Sequence, residues 1–266
     1  MIILGYIFSL LIGVSLGLIG AGGSILTVPV LVYLMAIPPV LATAYSLFIV
    51  GTTALVGSFR FMHRKQVSFK TALVFALPAF LAVFFTRLWL VPSLPHVLFT
   101  WGSFSLTKDV FIMVLFAILM LAASISMIRS GTAQEAEAET FVPQYNLPLI
   151  IGEGLLVGVL TGMVGAGGGF LIIPALVMLA RLPMKIAVGT SLLVIAINSL
   201  LGFLGDVGAH GQNINWTFLL IFTVLPVGGI FIGAALTKVI SGAKLKKGFG
   251  WFVLVMGAAI LLKELL

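Results

Sequence analysis

The sequence predicts an all-α, polytopic membrane protein made of two inverted five-segment repeats. Three observations carry that expectation. The 266 residues are 61% hydrophobic and 8% charged, with a mean hydropathy of +1.30, more apolar surface than a soluble domain of this size can hide. Apolar runs near the thickness of a bilayer core recur along the whole chain. The stretch GLIGAGGSILTVP, residues 17–29, returns as GMVGAGGGFLIIP, residues 162–174. Backbone facing lipid must satisfy its own hydrogen bonds, which leaves helices or closed barrels. The alternating ten-residue segments of a barrel are missing from this chain, so helices remain.

The segments follow in order. In the first half, 1–128, they run over 2–19, 25–37, 40–59, 70–91 and 109–128. In the second half, 147–266, they run over 147–164, 170–182, 185–204, 217–236 and 248–262. Between the halves, RSGTAQEAEAETFVPQYN (129–146) is polar, acidic and alanine-rich and reads as an exposed linker. The opening MIILGYIFSLLIG has no basic n-region or clear cleavage site and reads as a retained helix.

The halves align with an offset of 145. Gly17, Gly20, Ala21, Gly22, Gly23, Leu26 and Pro29 meet Gly162, Gly165, Ala166, Gly167, Gly168, Leu171 and Pro174. Pro38, Ala42, Ser46 and Gly57 meet Pro183, Ala187, Ser191 and Gly202, and VSFKTALVFALP (67–78) echoes INWTFLLIFTVLP (214–226) with one gap. Five segments per half is an odd number, so the second copy is inverted. The basic residues agree. With the 60–70 loop in the cytoplasm, eleven of the fourteen Lys and Arg fall inside, leaving only Arg87, Lys108 and Lys263 outside. This puts both termini outside a cell (inner) membrane, in an inverted-repeat transporter architecture.

Composition also excludes. Without cysteine there are no disulfides, thiolate metal sites or cysteine nucleophiles. The net charge of +7 is assigned to basic loops at the membrane surface, not to nucleic acid. His63, His96 and His210 lack ligand spacing, and no nucleophile–base pair is visible. No catalytic residue, metal or cofactor is expected. The expected partners are a small anionic substrate and the bilayer; a homo-oligomer is compatible with the sequence.

The second segment of each half is short. Thirteen helical residues reach about 20 Å, less than the roughly 30 Å hydrocarbon core. Segments one and two therefore read as re-entrant hairpins whose GAGG turns approach each other near the middle. Irregular backbone is tolerated there only where protein or water covers it. Glycine permits positive φ and close approach of a ligand. The helix that follows each turn starts with unpaired N–H groups and partial positive charge. Two such starts facing one cavity make an anion site without a buried lysine. The candidate site is thus Gly20, Ala21, Gly22, Gly23 and Ser24 with Gly165, Ala166, Gly167, Gly168 and Gly169. The competing reading is packing, which suits the small-xxx-small pairs Gly13/Gly17, Gly158/Gly162 and Gly229/Gly233.

The third segments add hydroxyls and amides. Ser46 matches Ser191, and Thr53 matches Asn198; all four are candidate substrate-binding residues. Against this, Ser and Thr often bond back to their own helix, the reading preferred for Thr43, Thr52 and Ser199. Glu153, within the sixth segment, is a candidate for proton coupling. Its repeat mate is Phe8, and snorkelling to the cytoplasmic surface is the simpler reading. Arg87 is expected to reach the outer interface, where it could attract anions. Asp206 is expected to be solvated at an outer helix end.

GLIGAGGSILTVPVLVYLMAIPPVLATAYS and GMVGAGGGFLIIPALVMLARLPMKIAVGTS resemble the paired motifs of the TauE/SafE family of sulfite and organosulfonate exporters. HRKQVSFK, INWTFLLIFTVLPVGGIFIGAALTKVI and LKKGFG extend the resemblance over almost the whole chain outside the linker. It implies a membrane transporter, not an enzyme, that exports a small sulfur anion such as sulfite or sulfoacetate by alternating access. The first copy departs from the pattern, with Ala44-Tyr45-Ser46 where the second has Gly189-Thr190-Ser191. A cation or metal permease would need acidic or histidine residues in the core, where only Glu153 stands. A non-transporting assembly factor or enzyme would need a large exposed domain or a reactive constellation.

Overall fold

The glycine-rich breaks in hydropathy become breaks in helix geometry. The computed structural model describes residues 2–101, 104–129, 147–178, 182–210, 214–236 and 242–265; the expected linker lies outside them apart from Arg129. Helix α1 (Ile2–Ile19) runs into a tight 3-10 stretch, Gly20–Leu26. The chain continues through Thr27–Pro29 into a π turn, Val30–Leu34, and the short apolar helix Gly22–Leu34 is α2. Ala36, at φ 54°, ends it. Helix α3 (Pro39–His63) starts on a proline at its first position, where no N–H is missed. Its end is a Schellman cap. Lys65 adopts φ 55°, the Gln66 N–H donates to the Phe61 carbonyl (2.9 Å), and the Lys65 N–H donates to that of Met62 (2.9 Å). Helix α4 (Phe69–Ser93) contains a π turn at Thr86–Leu90.

A feature outside the all-helical expectation follows. Val97–Trp101 (β1) and Phe104–Thr107 (β2) pair as an antiparallel hairpin. Then come α5 (Lys108–Arg129), α6 (Leu147–Val164), α7 (Gly169–Met178), α8 (Met184–His210), α9 (Trp216–Leu236) and α10 (Gly242–Leu265). Asn215 caps α9, its side-chain oxygen accepting the Phe218 N–H at 3.0 Å. Six helices among the described residues are long and apolar enough to cross a membrane.

The core is made by pairs drawn from opposite halves. α1 packs on α9, α6 on α4, α3 on α8, and α5 on α10. Glycines let these backbones touch. Gly13 and Gly17 face Pro226 and Gly233, while Gly158 and Gly162 face Ala79 and Thr86. Ser9 adds a hydrogen bond from its hydroxyl to the Phe222 carbonyl (3.0 Å). α3 and α8 run antiparallel, with Gly51 against Leu200, Gly57 against Leu192 and Gly202 against Leu47. Tyr45 of α3 accepts the Asn215 N–H (2.6 Å) and stacks on Phe218 of α9. Exposed Leu, Ile, Phe and Val side chains on α1, α4, α6, α9 and α10 form the lipid-facing surface.

Candidate functional site

The two breaks differ in backbone form. In the second, Gly165, Gly167 and Gly168 have φ of 74°, 69° and 66°; in the first only Gly20 does, at 72°. The second break therefore turns sharply, and α7 begins at Gly169, with the Ile172 N–H donating to the Gly168 carbonyl (3.0 Å). The first unwinds into a 3-10 stretch that continues the chain. Gly20, Gly22, Gly23 and Ser24 are buried, as are Gly165, Ala166, Gly167, Gly168 and Gly169. No placement of the Ala21 side chain is described.

Each break seats on the third segment of the other half, at matching positions. Gly20 lies against Val188, and Gly165 against the Thr43 backbone; Thr43 and Val188 are repeat mates. Gly167 sits deeper, where a Cβ would meet Val50 at 2.8 Å and the Ser199 hydroxyl at 3.0 Å. Gly168 lies against the Thr161 hydroxyl. The first break also packs on α7, so the two hairpins meet. Beside the second break, Leu119, Leu160, Thr161, Val164, Ala166, Gly168 and Leu171 line a shallow crevice too narrow to hold water.

The third-segment candidates divide. Thr53 donates to the Ile49 carbonyl (2.7 Å) and Ser191 to that of Val188 (2.8 Å), so both hydroxyls serve their own helices. Among the described residues, the Ser46 hydroxyl and the Asn198 side-chain oxygen are buried without a hydrogen-bond partner, and so is the Ser199 hydroxyl beside Gly167. Thr27 and Thr161 are in the same condition. Glu153 is half-buried on α6, one carboxylate oxygen without a partner.

The structure corrects two expectations. Arg87 does not reach the outer interface, and Asp206 is not solvated: they are 0% and 4% exposed and form an ion pair at 3.4 Å. The Arg87 Nη1 donates to Asp206 Oδ1 (3.4 Å) and to the Thr43 hydroxyl (2.9 Å). Thr43 in turn donates to the Val40 carbonyl (2.7 Å). Sequence reasoning missed this cluster because it ended the segments at 91 and 204, leaving both charges near helix ends. Helices α4 and α8 run on to residues 93 and 210. Arg87 within a 25-residue apolar helix was the available signal.

Among the described residues, no group of three His, Asp or Glu side chains could hold a metal ion. What is brought together is one buried cation, two helix starts, left-handed glycines, and hydroxyl and amide groups with spare capacity. Such a set can bind and desolvate a small anion.

Known proteins agree with a transport role. The chain is 30% identical over 256 residues to a "probable membrane transporter protein" of Xylella fastidiosa strain Temecula1, covering 94% of this chain and 91% of that one. The "probable membrane transporter protein YunE" of Bacillus subtilis is 28% identical over 245 residues, 87% of each chain. The "probable membrane transporter protein MJ0441" of Methanocaldococcus jannaschii is 26% identical over 279 residues, covering 98% and 94%. No solved structure matches the chain significantly. Residues 6–260 match the family described as sulfite exporter TauE/SafE, so this multi-pass membrane protein belongs to that family of transporters.

Proposed function

We propose that the protein is a secondary transporter of the cell (inner) membrane that exports a small sulfur-containing anion, sulfite or an organosulfonate, by alternating access. The observation that carries this reading is the second break. Gly165, Gly167 and Gly168, all with positive φ, lead into α7, against which the first break packs. Gly20–Ser24 and Gly165–Gly169 supply main-chain amides at two helix starts, where an oxyanion is stabilised without a covalent partner. Ser46 and Asn198 stand on the stretches of α3 and α8 that the second break covers, with polar atoms to spare. Thr53 and Ser191 become available only if their bonds to helix carbonyls are exchanged for substrate.

The pairing of helices supports inverted repeats. Segment one of each half packs on segment four of the other, three on three, and five on five, as a two-fold relation requires. Tight packing around both breaks fits an occluded state, from which one half must rock against the other to admit water and anion. Export needs no nucleotide. Moving an anion out of a negative cytoplasm is favoured by about 2.3 kcal/mol per charge per 100 mV. Glu153 is the residue to examine for proton coupling.

Purified protein in proteoliposomes loaded with labelled sulfite, methanesulfonate or sulfoacetate tests this. Saturable, voltage-sensitive efflux of at least one of them is the expected result. Flux of a metal cation with none of these anions would overturn it.

A further inference from the structure

The guanidinium of Arg87 is wholly buried yet poorly satisfied. Of its five N–H donors, the pairing uses those of Nη1, at 2.9 Å to Thr43 and at a long 3.4 Å to Asp206. Nε and Nη2 are buried without a hydrogen-bond partner among the described residues. Donors left unmade in the interior are costly, more so on a charged group. A structural Arg–carboxylate pair ordinarily engages two parallel N–H groups as a fork. Here the Nε/Nη2 edge, a natural fork for an oxyanion, is engaged by no described protein group.

The location adds meaning. Arg87 sits in the π turn of α4, a kind of helix defect common at functional sites. A Cβ on Gly205 of α8 would crowd the Arg87 Cβ at 3.0 Å. Thr43, which holds Nη1, is the residue on which Gly165 seats. Thr43 therefore touches both the cation and the start of the second glycine break. The arrangement spans both halves but has no counterpart at the repeat-related positions. Thr43 and Asp206 correspond by the offset of 145 to Val188 and Phe61, and Arg87, aligned through Pro78 and Pro226 after the gap, to Ala235; none of these mates carries a charge.

We propose that Arg87 is the charged half of the anion site, taking two substrate oxygens on its Nε/Nη2 edge. Asp206 is then a resident carboxylate that holds the guanidinium in place while the site is empty and competes with bound substrate, which promotes release. The ligand class is an anion with at least two oxygens on one head, a sulfonate, sulfite or carboxylate. The inference rests on the reading that the chain moves small anions, and it adds an ionised side chain to a site first drawn from main-chain amides alone.

The test compares wild type with R87K, D206N and the neutral double variant R87Q/D206N. Methanesulfonate, sulfite and acetate binding to detergent-purified protein, efflux from proteoliposomes, and Tm are measured together. Removing both charges of a merely structural pair leaves no orphan charge and spares function. If Arg87 grips the anion, the double variant keeps its Tm within a few degrees but loses binding by about 10- to 100-fold. D206N alone binds more tightly and releases more slowly. Wild-type binding in the folded double variant would overturn the proposal while leaving the transporter reading intact. Should the double variant not fold, R87K decides: it keeps the charge and loses the fork, so weaker binding at unchanged Tm supports the role and unchanged binding overturns it. Wild-type binding of acetate but not of the sulfur anions would sink the sulfur reading and keep the Arg87 site, read with acetate. Binding of none of the three by wild type sinks both.

Discussion

A methyl group on Gly165 would have nowhere to go. Its φ of 74° is strained for any L side chain, and a Cβ would lie within 2.6 Å of Thr43 main-chain atoms. Gly165→Ala is therefore expected to cost at least about 2 kcal/mol, read as a lower Tm in detergent. Gly152→Ala and Gly228→Ala, where nothing lies within 4 Å of the new methyl, are expected to leave Tm unchanged. Ser199 gives a contrast of another kind. Its buried hydroxyl has no partner beside Gly167, and an unmade buried hydrogen bond costs about 1–3 kcal/mol. Ser199→Ala should thus hold or raise Tm while raising the KM for anion efflux several-fold. A loss of stability without an effect on KM would mark Ser199 as a packing residue. The sequence pointed to Ser46 and Asn198 through their repeat positions; of the hydroxyls read as helix-bonded, Thr43 does donate to the Val40 carbonyl, whereas Ser199 does not. Repeat position cannot show which hydroxyl finds a carbonyl, because rotamer and neighbouring helix decide that.

At the scale of elements, stability comes from helix pairs that exchange partners between halves. The α1–α9 contact depends on Gly229 and Gly233, whose missing side chains let the Leu10 and Val14 main chain approach. Without a strong hydrophobic drive between helices in lipid, such close contact is a main source of association. Gly229→Leu is expected to abolish the monodisperse peak in size-exclusion chromatography. Gly228→Leu, one residue away on the exposed side, should elute like wild type. Segments 2–19 and 147–164 were read from hydropathy as they stand in the structure. α3 and α8 outrun their readings because their last turns carry the polar residues Arg60, His63 and Asp206, which local hydropathy scores as loop. The hairpin at 97–107 escaped for a related reason. It is a short pairing between two apolar stretches, and a helix-length window averages it away.

For the whole molecule, the proposed topology has a direct test, because the chain has no cysteine of its own. Single cysteines at Lys65, His96 and Asn215, all exposed, should divide by side. With a membrane-impermeant maleimide on intact cells, H96C and N215C are expected to label and K65C only after lysis; labelling of all three from outside would refute the inverted arrangement. The sequence by itself determined that this is a helical membrane protein and where its segments lie, and its offset of 145 is what points to a duplication. Those properties are sums over neighbouring residues, and hydropathy and repeat spacing report such sums directly. Only the tertiary structure decided that Arg87 and Asp206, 119 residues apart, are buried together beside the second glycine break. That outcome depends on which helices pack across the two halves, and the cost of burying a charge is set by the partner that packing delivers.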